Sequence, residues 1–137
     1  MKDLALLAVD TARQQGASYA DVRLIETARE ALSVRNGAIG EVAQTEDAGF
    51  GVRVLAQGAW GFACSPRLTK DEVERVAARA VEVAKASATV KNADVRLAPE
   101  PARRDAWYTP CTLNPFQVSQ EEKLALLFNP TSLRANN

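Results

Sequence analysis

Arg35, Arg53 and the Trp107-Tyr108 pair are the residues best suited to touch a ligand, and no residue is equipped to hydrolyse one. The 137 residues include no histidine. That removes a Ser-His-Asp or Cys-His unit and the commonest ligand of a protein zinc site. Cys64 and Cys111 are too few for a structural zinc, and they fall in unlike contexts, a strand end and a proline-rich connector. The neighbouring carboxylates Glu46-Asp47 and Glu121-Glu122 diverge on a strand or a helix, so neither makes an acid and base pair. Gly49-x-Gly51 lacks the third glycine of a phosphate loop and leads into a strand pattern. Binding remains. Arg35 and Arg53 can meet a peptide backbone or carboxylate from a sheet face; the plainer reading is solvated strand arginines with their stems on neighbours. Trp107-Tyr108 stands in a polar connector and calls for cover by a partner subunit or a further domain.

Composition narrows the partners. Apolar residues make up 47% and charged residues 25%, which suits one folded domain with appendages. The formal charge is zero and the basic residues are scattered, so nucleic acid is not expected as a partner. The apolar run Leu4 to Val9 is brief and leads to Asp10 and Arg13, neither a signal peptide nor a membrane span. The expected setting is reducing and cytoplasmic, with no membrane partner.

The elements centre on residues 32 to 65, where short alternating apolar runs are punctuated by Asn36-Gly37, Gly49-Phe50-Gly51 and Gln57-Gly58. Before them, residues 3 to 15 read as a helix capped by Asp3 and ended by Gly16. Residues 21 to 27 read as a first strand, with a return at Ala28-Arg29 and a second strand over 30 to 35. Asn36-Gly37 is the strongest hairpin signal, and a bulge near Gly40 would relieve the pairing of Leu32 with Glu41. A strand over 38 to 44 and an exposed acidic connection from Thr45 to Ala48 follow. At Gln57-Gly58, a bare two-residue turn places Arg53 among aromatics. A three-residue loop instead gathers Phe50, Val52, Val54, Trp60 and Phe62 on one buried face, and is preferred. Arg53 then sits among Gly51, Gly61 and Ala63 on a low-relief face that another backbone can approach, and Trp60 is core rather than substrate wall.

Thr69-Lys70-Asp71-Glu72 reads as a capping box opening a second helix, with Val73, Val76, Ala77, Ala80, Val83 and Ala84 on its apolar face. Residues 94 to 98 offer one more short strand. Pro99, Pro101, Pro110 and Pro115 then mark a connector, and Ser119-Gln120-Glu121-Glu122 opens a brief helix that Asn129-Pro130 should stop. The expected fold is α+β: an antiparallel meander of four to five strands with two helices packed on one face, then an extended connector and a short helix. The expected divisions are residues 1–98, 99–118 and 119–137.

Several segments resemble a known family. Tyr19-Ala20-Asp21-Val22-Arg23, Val34-Arg35-Asn36-Gly37, Gly49-Phe50-Gly51-Val52-Arg53-Val54 and Gly58-Ala59-Trp60-Gly61-Phe62-Ala63 are similar to the N-terminal domain of the TldD/PmbA zinc-dependent peptidases, also known as modulators of DNA gyrase. Asn114 to Ser119 and Glu121 to Leu124 resemble that family's linker and following helix, and Trp-Gly-Phe-Ala its TldD-like branch. The resemblance implies a cytoplasmic peptidase for unfolded or modified peptides, with two subunits enclosing a chamber. It also implies zinc held by a His-Glu-x-x-x-His helix and a later cysteine. Nothing here matches that motif, so no catalytic or metal-binding residue carries over, to Cys64 and Cys111 included. No cofactor is expected in this chain, zinc belonging to the full-length family.

The resulting expectation is an inactive N-terminal module forming chamber wall, subunit contact and peptide docking, in a homo- or heterodimer with TldD/PmbA-like subunits. The alternatives are a stand-alone binding or regulatory protein that pairs with full-length relatives, or an inactive truncated gene product. The tail from Phe128 onward departs from the family's longer helix, which favours truncation.

Overall fold

The computed structural model describes residues 1–101 and 103–134, with side chains as far as Asn129. The elements are α1 (Lys2–Gln14), β1 (Tyr19–Arg35), β2 (Ala38–Ala56), β3 (Ala59–Ser65), α2 (Lys70–Ala88), a single 3-10 turn (Pro115–Gln117) and α3 (Gln120–Arg134). The α+β class is as expected, but the strands number three among the described residues, in the order β1-β2-β3. The chain divides into two compact units, one of Met1–Thr27 with Asp47–Glu100, the other of Ala28–Glu46 with the chain from Pro101 onward.

The strand count differs because two expected breaks are absent. β1 runs unbroken for 17 residues through Ala28-Arg29, and β2 for 19 residues through Thr45–Ala48. The non-glycine residues with positive φ are Asn36 (53°) and Gln57 (51°), each followed by a glycine at 73°. These are the two hairpin turns, both of the type I′ that matches strand twist. The polar residues of 28–48 mark solvent on a strand rather than a loop. Residues 94 to 98 form no strand; Val95 N donates one bond, to Gly58 O at 2.9 Å.

Near the first turn Gly40 lies against Ser33, its partner in an unbulged hairpin. At the base, Asp21, Arg23 and Ile25 share a face with Gly49, Gly51 and Arg53. Alternation therefore requires one extra residue in one of the strands beyond Gly40, a bulge farther along than expected.

The second hairpin takes the register that sequence reasoning set aside. Leu55 pairs with Trp60, Arg53 with Phe62 and Gly51 with Cys64. Trp60 is therefore half-buried and Phe62 is 57% exposed, on the face opposite the helices, with Arg53 beside them. Gly61 and Ala63 are on the face that the helices cover, while Gly51 stays with Arg53 on the other. A Cβ built on Gly61 would lie 2.1 Å from Ala80 O and 2.5 Å from Ala84 N, so α2 rests directly on the β3 backbone. Side-chain bulk at Trp60 and Phe62 cannot occupy that side.

Val52 and Val54 on β2 are fully buried with Val73, Val76, Ala77, Ala80, Val81 and Ala84 of α2 and with Ala8 and Ala12 of α1. α2 packs on β3, and α1 lies beside α2. Gly16, at φ 97°, ends α1 with Gly16 N bonded to Arg13 O and Ala17 N to Ala12 O, the paired bonds of a Schellman end. Lys85 Nζ donates to Gln15 O at 2.9 Å, which joins α2 to the same end.

The helix starts depart from expectation at two points. α1 begins at Lys2, so Asp3 lies in its first turn and favours the helix dipole rather than capping it. Thr69 is the N-cap of α2 but makes no side-chain cap bond, and the Glu72 carboxylate, the reciprocal partner of a capping box, is engaged by Ser65, Arg67 and Arg75. In the other unit, Ser119 Oγ accepts from Glu122 N at 3.2 Å, and Lys123 pairs with Glu30, tying α3 to β1. α3 continues through Asn129-Pro130 to Arg134. Proline holds a helical φ and forfeits one ladder bond, which does not by itself end a helix. The remainder of the expected tail, residues 135–137, lies outside the described residues. No described helix is long and apolar enough to cross a membrane.

Candidate functional site

Over residues 19–27 and 47–65, the face of the sheet away from α1 and α2 carries the odd-numbered residues of β1 and β2 and the even-numbered residues of β3, an assignment that follows from strand alternation and the β2–β3 register. At one end the ring centroids of Tyr19 and Trp60 stand 5.9 Å apart, edge to face at 85°. The Arg53 guanidinium lies 4.9 Å from the Trp60 ring centre, a cation–π contact. Its Nε and Nη2 meet Asp21 Oδ2 at 2.8 and 2.7 Å. The hydrogen bond to Asp21 is the main cause that raises the pKa of Arg53 above its ordinary value. The charge that looked misplaced among aromatics is thus neutralised by a carboxylate 32 residues earlier in the chain.

Beyond this cluster the face sinks into a groove of about 520 Å³. That lies within the range of about 300–1000 Å³ typical of ligand clefts. Gly49 and Gly51 contribute no side chain to it; Arg23 and Ile25 come from β1, Phe62 and Cys64 from β3. Phe62 leans over Gly51, its ring edge 2.8 Å from where a Cβ would stand.

The groove ends at Ser65 and Pro66, and Ser65 is held firmly. Its Oγ donates to Glu72 Oε1 at 2.6 Å and accepts from Arg67 N at 3.2 Å. Glu72, 7% exposed, also accepts from Arg75 Nε and Nη2 at 2.8 and 2.7 Å and from Arg67 Nη2 at 3.2 Å. The Arg75 hydrogen bonds first, then that of Ser65, hold its carboxyl at a pKa of about 2, below the ordinary 4.5. This network ties the end of β3 to the first turn of α2.

Of the four residues singled out from sequence, Arg53 alone lines the groove. Arg35 ends β1 beside the Asn36-Gly37 turn, exposed. Trp107 and Tyr108 are 83% and 81% exposed in the connector. Arg53 thus falls in one unit, and Arg35, Trp107 and Tyr108 fall in the other. Asp21, Arg23, Ile25 and Phe62 were missed. Asp21, Arg23 and Ile25 occur at alternate positions in the sequence, but a wrong register at Gln57-Gly58 hid the face they share.

The donor set does not fit zinc. There is no imidazole, and among the described residues no three of His, Cys, Asp and Glu come together as a metal-holding group. Cys64 and Cys111 are exposed free thiols in different units.

Residues 20–84 match PmbA/TldA metallopeptidase domain 1. Over 111 residues, 81% of the chain, it is 28% identical to a metalloprotease of Methanocaldococcus jannaschii, covering 25% of that protein. The fold is similar, with a TM-score of 0.68 and 20% identity over 91% of the chain, to a crystal structure of a candidate modulator of DNA gyrase from Bacteroides thetaiotaomicron. The match covers 28% of that structure, so the chain spans about a quarter of the length of both proteins. Residues 20–84, which run from the start of β1 into α2, are thus similar to the first domain of the PmbA/TldA metallopeptidases.

Proposed function

We propose that the chain is a non-catalytic N-terminal module of a TldD-like zinc-dependent peptidase, supplying chamber wall, subunit contact and peptide docking. One observation carries the reading: a match to a metallopeptidase first domain over residues 20–84 in a chain that contains no histidine. Trp60-Gly61-Phe62-Ala63 supports the TldD-like branch, and the free thiols suit a reducing, cytoplasmic setting. β1 and β3 are the outer strands of the sheet, where an extended peptide can add by backbone pairing. The exposed Trp107 and Tyr108 suit contact with a TldD/PmbA-like subunit in a homo- or heterodimer. That same pair favours the second reading, a separate regulatory partner of full-length relatives.

Incubation of the purified chain with unfolded casein and micromolar zinc is expected to give no cleavage, while native mass spectrometry with a full-length relative shows a complex. Cleavage abolished by a chelator would overturn the non-catalytic reading. A stable complex that inhibits an already complete relative would favour the regulatory one.

A further inference from the structure

Arg23 is the one arginine of the groove without a carboxylate partner among the described residues, since Asp21 engages Arg53. The chain as a whole is neutral, so the excess positive charge here is local. Gly49 and Gly51 contribute no side chain, the Phe62 ring edge lying over Gly51, and Ile25 and Phe62 supply apolar contact on the β1 and β3 sides. An extended peptide places alternate side chains on one face, about 6.7 Å apart. It can therefore set a carboxylate against Arg23 while other side chains of the same face meet the apolar surface of Ile25 or Phe62. Phosphate-rich ligands fit less well, because the Asp21 carboxylate stands in the same groove.

We propose that the groove between Arg23 and Phe62 binds an extended acidic peptide, with a carboxylate against Arg23 and apolar side chains against Ile25 or Phe62. This deepens the peptide-docking part of the proposed function and rests on it. Arg23 provides charge-assisted hydrogen bonds, and Gly49 adds no side chain to the groove.

The test uses the full 137-residue chain. The probe is a fluorescein-labelled, amidated octapeptide of alternating threonine and valine with one central glutamate, followed by fluorescence anisotropy. Versions with glutamine or lysine at the centre are compared with it. The glutamate peptide is expected to bind about tenfold more tightly than the glutamine peptide, and the lysine peptide more weakly still. Arg23→Gln should remove that discrimination and Arg23→Lys restore part of it, with unchanged thermal unfolding because Arg23 is exposed. Equal binding of the three peptides, or a preference that survives Arg23→Gln, overturns the proposal. So does self-association of the chain that Arg23→Gln abolishes, since it gives the face to a second copy. If no peptide binds while casein stays intact and the complex with a relative forms, this inference alone fails.

Discussion

Replacing Gly61 by alanine is expected to destabilise the chain by about 3 kcal/mol, the upper range for overpacking a close contact. The added Cβ would meet Ala80 O at 2.1 Å, Ala84 N at 2.5 Å and Ala84 Cβ at 2.8 Å, and two of these are backbone atoms of α2. No rotamer change relieves such a clash; the helix must lift off β3 and open the contacts around Val76, Ala80 and Val54. Gly51→Ala is the control. Its Cβ meets the far edge of the exposed Phe62 ring at 2.8 Å, and that side chain can swing into solvent. Urea unfolding followed by circular dichroism should show a large loss of midpoint for Gly61→Ala and a small one for Gly51→Ala. The pair of variants also tests the register directly. Had Trp60 and Phe62 pointed toward the helices, Gly61 would face outward and accept alanine readily.

Glu72→Gln is expected to lower stability at neutral pH far more than loss of the exposed Arg79–Glu82 pair, and to flatten the acid limb of the stability profile. Glu72 is buried and receives hydrogen bonds from Ser65, Arg67 and Arg75, whereas Arg79 and Glu82 are 64% and 65% exposed and contribute little. The folded-state pKa of Glu72 is depressed, from 4.5 to about 2. Its contribution is therefore fully present above pH 4.5 and lost as pH falls through about 2. Urea midpoints measured at intervals across that window should fall for the native chain and change less for Glu72→Gln. Parallel profiles for the two chains would show that the carboxylate is not held as described.

Local chemistry made part of this fold legible. Asn36-Gly37 could be placed because both residues tolerate the left-handed backbone a type I′ turn requires. The α2 stripe from Val73 to Ala84 showed because its spacing is helical and its opposite face is charged. The register at Gln57-Gly58 did not show, because its two decisive contacts are distant in sequence. Arg53 is acceptable beside Trp60 since Asp21 neutralises it, and Gly61 is a glycine since Ala80 and Ala84 press on it. A reading confined to the hairpin weighs the arginine as a cost and the glycine as neutral, and so reverses the face.

The capping pattern at Thr69 failed for a related reason. Glu72 has the spacing to bond back to its own N-cap, but Ser65 before it and Arg75 after it compete for the same oxygens. Of the candidate site, Arg53 was visible as a strand arginine on an open face. The groove around it was not, since its sides come from three strands whose relative register had to be known first.

The most direct test of the account is the metal content of the chain itself. After equilibration with micromolar zinc and dialysis against metal-free buffer, elemental analysis should find no zinc retained by the folded 137-residue chain. One zinc ion retained per chain would contradict the claim that this chain lacks the donors to hold a hydrolytic metal.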